Sequence, residues 1–166
     1  MCEHGAIKLF ERWYATPLSE LEKVPNGDGA FVAFSVALAL YERFARSSID
    51  AAGQKADAAA MYKRLAVDFN ITETEAKEFW EIMRHGVQHQ AMPMQKQKTK
   101  PLTPWLFNGS FQQPIEFGTH SGKRVLRVQP WLFRDKVIDL YRRNPSMIDH
   151  NQSFPWASIF WLPTTS

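Results

Sequence analysis

The sequence predicts a mainly α-helical protein, an antiparallel bundle of four to five helices with a small β-hairpin inserted before the last helix. Three observations support this fold class. Apolar residues recur at helical spacing in four segments before residue 90 and in one after residue 130. Three short runs of strand-forming residues lie between them. Twelve Phe and six Trp, in a chain that is 45% hydrophobic, can fill the core of a single domain over residues 1–166.

The first two predicted helices are separated by a turn. A short helix is expected over residues 5–15, and Thr16-Pro17 should end it, because a residue before proline is disfavoured in the α region. The turn VPNGDG follows, and Asp28 is expected to cap a long helix that reaches about Ser47. The apolar stripe of this long helix comprises Phe31, Phe34, Leu38 and Tyr41.

Two further helices are predicted before residue 90. The first runs from about Gln54 to Asp68. The second begins at Thr72, which has the spacing of a capping box with Glu75. The stripes of the two helices comprise Met61, Leu65 and Phe69, and then Ala76, Phe79, Trp80, Met83 and Val87.

The chain changes character after Pro93. MQKQKTKP is polar and basic, and it is expected to be an exposed linker or loop. PWLF, PIEF and KRVLRVQ are candidate strands, with GTHSGK as the turn between the last two, so the hairpin insertion covers about residues 103–128. The last helix should begin at Pro130. The tail, residues 146–166, is expected to lie as extended chain over the core or across a subunit interface.

Several classes of protein are excluded by composition and pattern. The single cysteine, Cys2, rules out a disulfide framework and a cysteine-based zinc site within one chain. The N-terminal segment contains acidic residues and lacks the apolar core of a signal peptide. The longest apolar run, residues 30–41, is too short to cross a bilayer. A cytoplasmic protein without a membrane partner is therefore expected.

The net charge of +3 conceals an asymmetry along the chain. Residues 84–143 contain eleven Lys and Arg but only three acids, whereas the remainder contains nine basic and fourteen acidic residues. A basic segment favours an anionic partner, most commonly nucleic acid. The alternative is that the two parts neutralise each other on folding. The sequence does not decide between these interpretations.

The stretch RHGVQHQAMP, which begins at Arg84, gives the predicted fourth helix an unusual end. His85 and His89 are four apart, so they lie roughly 40° from each other around a helix, a spacing that can bind zinc. No third ligand is evident, and neither a metal nor a cofactor is predicted. Arg84 and His89 would point roughly 140° apart on a straight α-helix. They converge only if the helix loosens after Gly86 or if a second copy of the chain contributes. From the residues alone, the simplest interpretation is a helix C-terminus whose Arg and His interact with free carbonyls.

Arg84-His85-Gly86-Val87-Gln88-His89 resembles the Arg-x4–6-His motif of HEPN domains (higher eukaryotes and prokaryotes nucleotide-binding). The wider FWEIMRHGVQHQAMP is similar to versions found in small bacterial HEPN-like proteins. The resemblance extends over about residues 28–143 as a helical bundle, but its specificity lies in six to ten residues. It implies a metal-independent endoribonuclease, homodimeric with a composite active site, in a toxin or phage-defence role.

The resemblance also implies roles for individual residues. Arg84 and His89 would be catalytic, with His89 as general base or acid and Arg84 as the phosphate clamp. The RNA 2′-OH would attack the phosphate, giving a 2′,3′-cyclic phosphate and a 5′-OH. His85, Gln88 and Gln90 would orient the motif or contact the substrate.

Other features of the sequence leave alternatives open. Lys96, Lys98 and Lys100 either contact the RNA backbone or form a solvated loop. One toxin branch has a Tyr two residues after the motif His, where this chain has Ala91, so regulation through such a tyrosine is not expected. An antitoxin or another regulatory protein would be a partner. The alternative functions are a non-catalytic HEPN-like module that binds RNA, nucleotide or protein, and a helical structural protein whose motif only ends a helix.

Overall fold

The computed structural model describes residues 3–84, 86–87 and 103–149. Its α-helices are α1 (Glu3–Phe10), α2 (Thr16–Glu20), α3 (Gly29–Ala51), α4 (Ala58–Phe69), α5 (Glu73–Phe79), α6 (Pro130–Arg143) and α7 (Ser146–Asp149). Two π-helical segments, Glu11–Ala15 and Trp80–Arg84, follow α1 and α5, and two 3-10 turns, Leu21–Lys23 and Pro25–Gly27, precede α3. The strands are β1 (Trp105–Phe107), β2 (Ile115–His120) and β3 (Lys123–Val128). The predicted mainly α fold class, with a small sheet inserted before the C-terminal helical part, is confirmed.

Helix α3 lies at the centre of the core and packs along α6. Phe133 of α6 is fully buried and stacks on Phe69 of α4, with ring centroids 4.8 Å apart and planes within 9°. It also contacts Phe34 of α3 at 4.9 Å and Phe79 of α5 at 5.8 Å. One aromatic ring therefore holds four helices together. The predicted stripes are buried at Phe34, Leu38, Tyr41, Met61, Leu65, Phe69, Ala76, Phe79, Trp80 and Met83, while Phe31 and Val87 are half-buried.

The sheet has the order β1-β3-β2. β2 and β3 form the antiparallel hairpin that the sequence predicts, and β1 pairs with β3 in parallel. The turn is tighter than GTHSGK suggests. Only Ser121 and Gly122 lie between the strands, and both have positive φ, 51° and 74°. This is the backbone that a two-residue hairpin turn requires, because it matches the twist of the strands.

The N-terminal helical region does not end at Thr16-Pro17, and that prediction was wrong. The π-helical segment Glu11–Ala15 precedes the proline, and α2 continues through it. The Thr16 N–H donates to the Glu11 carbonyl, five residues back. A proline ring clashes with the carbonyl four residues earlier in a regular α-helix, and the wider π turn relieves this clash.

Asp28 does not cap α3 with its side chain, which is a second correction. Its backbone is α-helical (φ −62°, ψ −21°), whereas a capping residue normally has an extended backbone. The turn Pro25–Gly27 leads directly into α3, and the Asp28 N–H donates to the Pro25 carbonyl at 3.2 Å. Gly29 lies so close to the preceding segment that a Cβ atom there would be 2.2 Å from the Leu21 carbonyl oxygen. The helix start is therefore fixed by close packing.

The starts of α5 and α6 have side-chain caps. The Thr72 hydroxyl accepts a hydrogen bond from the Glu75 N–H at 3.2 Å, and the Glu75 carboxylate accepts one from the Thr72 N–H at 3.0 Å. The predicted capping box of α5 is confirmed. Helix α6 begins at the predicted proline, and the Gln129 side chain accepts from the backbone N–H groups of Trp131 and Leu132.

The C-terminal segment differs from the expectation where the structure describes it. Residues 146–166 were expected to be extended, but Ser146–Asp149 form a one-turn helix, α7, and Ile148 is buried. Residues 150–166 lie outside the described part of the chain. Among the described helices, none is long and apolar enough to cross a membrane.

Candidate functional site

Arg84 is the one member of the predicted catalytic pair that lies within the described residues. It ends the π-helical segment Trp80–Arg84, whose Trp80, Ile82 and Met83 side chains are buried in the core. Gly86 is buried and helical, and Val87 is half-buried. The remaining predicted site residues lie outside the described part of the chain: His85, Gln88, His89, Gln90, Lys96, Lys98 and Lys100.

The guanidinium of Arg84 is held by a carboxylate from α3. Its Nε donates to Glu42 Oε2 and its Nη2 to Glu42 Oε1, both at 3.1 Å. This bidentate geometry fixes the plane of the guanidinium as well as its position. The Arg84 side chain is 22% exposed and the Glu42 side chain 12% exposed, so the ion pair lies at the surface with only a small part in contact with solvent. The contact orients Arg84 before any ligand arrives.

A second arginine shares the same carboxylate. Arg46, one turn further along α3, donates from Nε and Nη2 to Glu42 Oε1 at 3.1 and 2.9 Å. Its Nη1 donates to the Ala56 carbonyl at 3.4 Å, in the loop between α3 and α4. Half of the Arg46 side chain is exposed. Two guanidinium groups thus meet at Glu42, and one of them belongs to the predicted motif.

The electrostatics of this cluster keep Glu42 ionised. Burial raises the pKa of the carboxyl, but the hydrogen bonds from Arg84 and Arg46 outweigh burial and lower the pKa from its ordinary value of 4.5. Their charges act in the same direction. The carboxylate therefore stays charged throughout the neutral and mildly acidic range.

Replacing Glu42 by Gln is expected to change how stability depends on pH. The folded-state pKa of Glu42 lies below 4.5, so its ion pairs stabilise the fold fully above that pH and are lost as the pH falls through the folded value. The variant cannot titrate at this position, and its free energy of unfolding should fall less steeply below pH 4.5. Urea denaturation at several pH values checks this. Glu11 and Glu75 also have lowered pKa values and titrate in both proteins, so only the difference between them reports on Glu42. Parallel curves would contradict the assignment.

A π-helical turn, Trp80–Arg84, leads directly into the motif. Single π turns inside α-helices occur frequently at functional sites. This turn precedes Arg84, so it leaves the angle between Arg84 and His89 unchanged, because that angle depends on residues 84–89. The expected convergence of the pair, by loosening of the helix after Gly86 or by a second copy of the chain, stays a prediction, since residues 88–102 lie outside the described part of the chain.

The charge asymmetry along the chain is largely paired within the fold. Four arginines from residues 84–143 contact acids outside that segment: Arg84 with Glu42, Arg124 with Glu75 and Glu78, Arg134 with Glu22, and Arg142 with Glu11. Arg134 is almost fully buried and also donates to the Leu18 carbonyl at 3.1 Å. Within the described residues, folding therefore neutralises much of the asymmetry. Of the two interpretations of the charge pattern, mutual neutralisation has the structural support.

A cluster of similar composition lies elsewhere on α3 and α4. The Asp68 carboxylate accepts from Arg64 Nε at 2.7 Å and from the Tyr41 hydroxyl at 3.1 Å. Burial raises the pKa of Tyr41 well above its ordinary value, so the hydroxyl stays neutral. Arg64 also lines a shallow cleft of about 270 Å³ between the end of α3 and α4. Here one carboxylate meets one cation and one neutral group, unlike Glu42.

Glu42 and Arg46 were missed from the sequence. Their spacing of four on a predicted helix indicates an ion pair, but such pairs are common on helix surfaces. The contact of Glu42 with Arg84 joins residues 42 positions apart, and no local pattern predicts it. Within the described part of the chain, no group of three or more His, Cys, Asp and Glu side chains is arranged to hold a metal ion.

Comparisons of the chain with protein-family models, with curated proteins and with solved structures found no match.

Proposed function

We propose that this protein is a metal-independent endoribonuclease of the HEPN type, acting in the cytoplasm in a toxin or phage-defence role. The family resemblance of the Arg84–His89 motif provides the reaction, and the observation that carries the proposal is the setting of Arg84. A partly exposed guanidinium, fixed in a bidentate contact with Glu42 and flanked by Arg46, is a cation oriented before substrate binds. Such preorganised charge is what stabilises a developing phosphorane.

The proposed chemistry needs one proton acceptor, one proton donor and positive charge. His89 takes the proton from the 2′-OH, whose oxygen attacks the adjacent phosphorus, and the P–O5′ bond breaks. A second acid, the matching histidine of another subunit or water, protonates the leaving 5′-oxygen. Arg84 binds the non-bridging oxygens as their negative charge grows. The products are a 2′,3′-cyclic phosphate and a 5′-OH, and no metal takes part.

A homodimer is part of the proposal, because two motifs together supply the two proton-transfer groups. His85, Gln88 and Gln90 would orient the motif or contact RNA, and Lys96, Lys98 and Lys100 would contact the RNA backbone. An antitoxin or other regulatory protein would restrain the activity in the cell.

The second candidate is a HEPN-like module that binds RNA, nucleotide or protein without turnover. The contact between Arg84 and Glu42 also supports this second candidate. Glu42 occupies one edge of the Arg84 guanidinium, and an arginine engaged in an internal ion pair is less available to a phosphate. The two candidates differ in turnover: the first predicts that RNA is cut, and the second predicts binding of RNA, nucleotide or protein without a cleaved product.

A cleavage assay on the full chain separates the candidates. A fluorescently labelled RNA is incubated with excess protein and EDTA, in parallel with a version that carries one 2′-deoxy substitution at the mapped cut. Cleavage of the RNA alone, with cyclic phosphate ends, is the expected result. Binding without product over long incubation would favour the second candidate. Cleavage that stops in EDTA would contradict both the metal independence and the roles given to Arg84 and His89.

A further inference from the structure

We infer that Arg46 is a second RNA-contacting residue of the proposed site and that Glu42 positions both arginines for a backbone phosphate. This inference rests on the proposed function, because it extends the Arg84 site with residues from another helix. Neither residue belongs to the motif in the sequence.

The geometry of Glu42 brings the two guanidinium groups together. Oε1 accepts from Nη2 of Arg84 at 3.1 Å and from Nη2 of Arg46 at 2.9 Å, so these nitrogens are at most about 6 Å apart. Two donors at this separation can bind oxygens of the same phosphate or of neighbouring phosphates. The planar fork of an arginine suits this contact better than a lysine does.

Arg46 retains donors for such a contact. An arginine has five N–H groups, and the described contacts of Arg46 use three of them, two toward Glu42 and one toward Ala56. Two N–H groups are left over, on a side chain that is half exposed. A phosphate can therefore bind Arg46 while Glu42 stays in place.

The charge of the cluster distinguishes it from an ordinary helix ion pair. Arg46, Glu42 and Arg84 together carry +1, with two cations on one carboxylate. In the other cluster, between α3 and α4, Arg64 and Asp68 cancel and Tyr41 adds no charge. Two guanidinium groups around one carboxylate attract an anion more strongly than one cation paired with one carboxylate does. The first cluster therefore suits a phosphate better than the second, and it contains the arginine of the motif.

The test compares Arg46→Gln with Arg143→Gln in the full chain. Arg143 is 75% exposed and pairs with Asp139 on α6, so its replacement removes the same charge without touching Glu42. The probe for binding is a 2′-O-methyl RNA oligonucleotide, which lacks the attacking hydroxyl. Arg46→Gln should weaken binding about tenfold and reduce the dependence of log K on log salt by roughly 0.7, the value for one phosphate contact on a single strand. Arg143→Gln should bind like the wild type, and Arg46→Lys should restore the salt dependence.

Kinetics then separate the two roles. For Arg46→Gln the loss should appear mainly in KM, because the contact exists before and during reaction. Glu42→Gln removes a negative charge, so it should bind the probe at least as tightly as the wild type while kcat falls about tenfold through loss of Arg84 orientation. If both residues were only structural, Arg46→Gln would not change mainly KM while Glu42→Gln changes mainly kcat.

The outcomes distinguish this inference from the proposed function. If Arg46→Gln and Arg143→Gln bind and cleave alike, the inference is overturned while the nuclease proposal stands. If the wild type binds the probe without cutting RNA, the nuclease proposal fails and the binding comparison still decides the role of Arg46. A wild type that does not bind the probe overturns the inference as well. Circular dichroism of each variant verifies folding, and Arg46→Met, which also removes the charge, replaces Arg46→Gln if the latter does not fold.

Discussion

Replacing Arg84 by Ala is expected to lower the rate of RNA cleavage by about 100-fold or more, the usual cost of removing one group that stabilises charge in the transition state. The guanidinium is the group proposed to bind the non-bridging oxygens, and Glu42 already holds it in a fixed plane. The measurement is single-turnover cleavage of a defined RNA in EDTA. His89→Ala should cause a loss of similar or greater size, since general acid–base catalysis contributes about 100- to 10,000-fold.

The control variant for Arg84→Ala is Arg84→Lys. Lysine keeps a positive charge beside Glu42 but cannot make the bidentate contact, so it should preserve the fold and recover only part of the rate. A second control, Arg124→Ala, removes an arginine that contacts Glu75 and Glu78 at the sheet and should leave cleavage unchanged. Cleavage at the wild-type rate by both Arg84→Ala and His89→Ala would refute the assignment of the motif as the site. Thermal unfolding of each variant shows whether any loss of rate reflects loss of the fold.

The parts of the fold that depend on nearby residues were predictable. The capping box of Thr72 and Glu75 and the buried stripe of α4 follow from spacing along a helix, because the interacting groups are within one or two turns. Pro17 and Asp28 show where local rules fail. A π turn accommodated the proline, and packing against Leu21 determined the start of α3, so tertiary structure overrode the local signals.

The candidate site also has one part that follows from nearby residues and one part that depends on tertiary structure. Arg84 could be selected from the sequence because its motif lies within six residues. Glu42 and Arg46 could not, since their role arises only when α3 packs beside the segment that follows α5. The excess of basic residues in 84–143 suggested a nucleic-acid partner, but ion pairs within the fold neutralise part of that excess. Arg134 and Arg142, for example, form ion pairs with Glu22 and Glu11. Among the described residues, the basic side chains that we propose to contact RNA are the two that share the Glu42 carboxylate.

Phe133→Ala is expected to lower the free energy of unfolding by about 3–5 kcal/mol, the range for a fully buried phenylalanine. Its ring contacts Phe34, Phe69 and Phe79, so its removal leaves a cavity where α3, α4, α5 and α6 meet. Urea denaturation followed by circular dichroism measures the change. Val67→Ala is the surface control, because Val67 is 73% exposed and should change stability by less than about 0.5 kcal/mol.

A milder substitution of Phe133 tests whether packing of the core affects the candidate site. Phe133 contacts Phe34 of α3, the helix that carries Glu42, and Phe79 of α5, which leads into the π-helical segment that ends at Arg84. Phe133→Leu fills most of the space, so it should cost only about 1.5 kcal/mol and leave the chain folded at 25 °C. If the spacing of α3 and α5 sets the orientation of Arg84, this folded variant should cleave RNA more slowly while binding the 2′-O-methyl probe normally. Unchanged cleavage in Phe133→Leu would mean that the Glu42 contact alone fixes the arginine, independently of how tightly the aromatic core is packed.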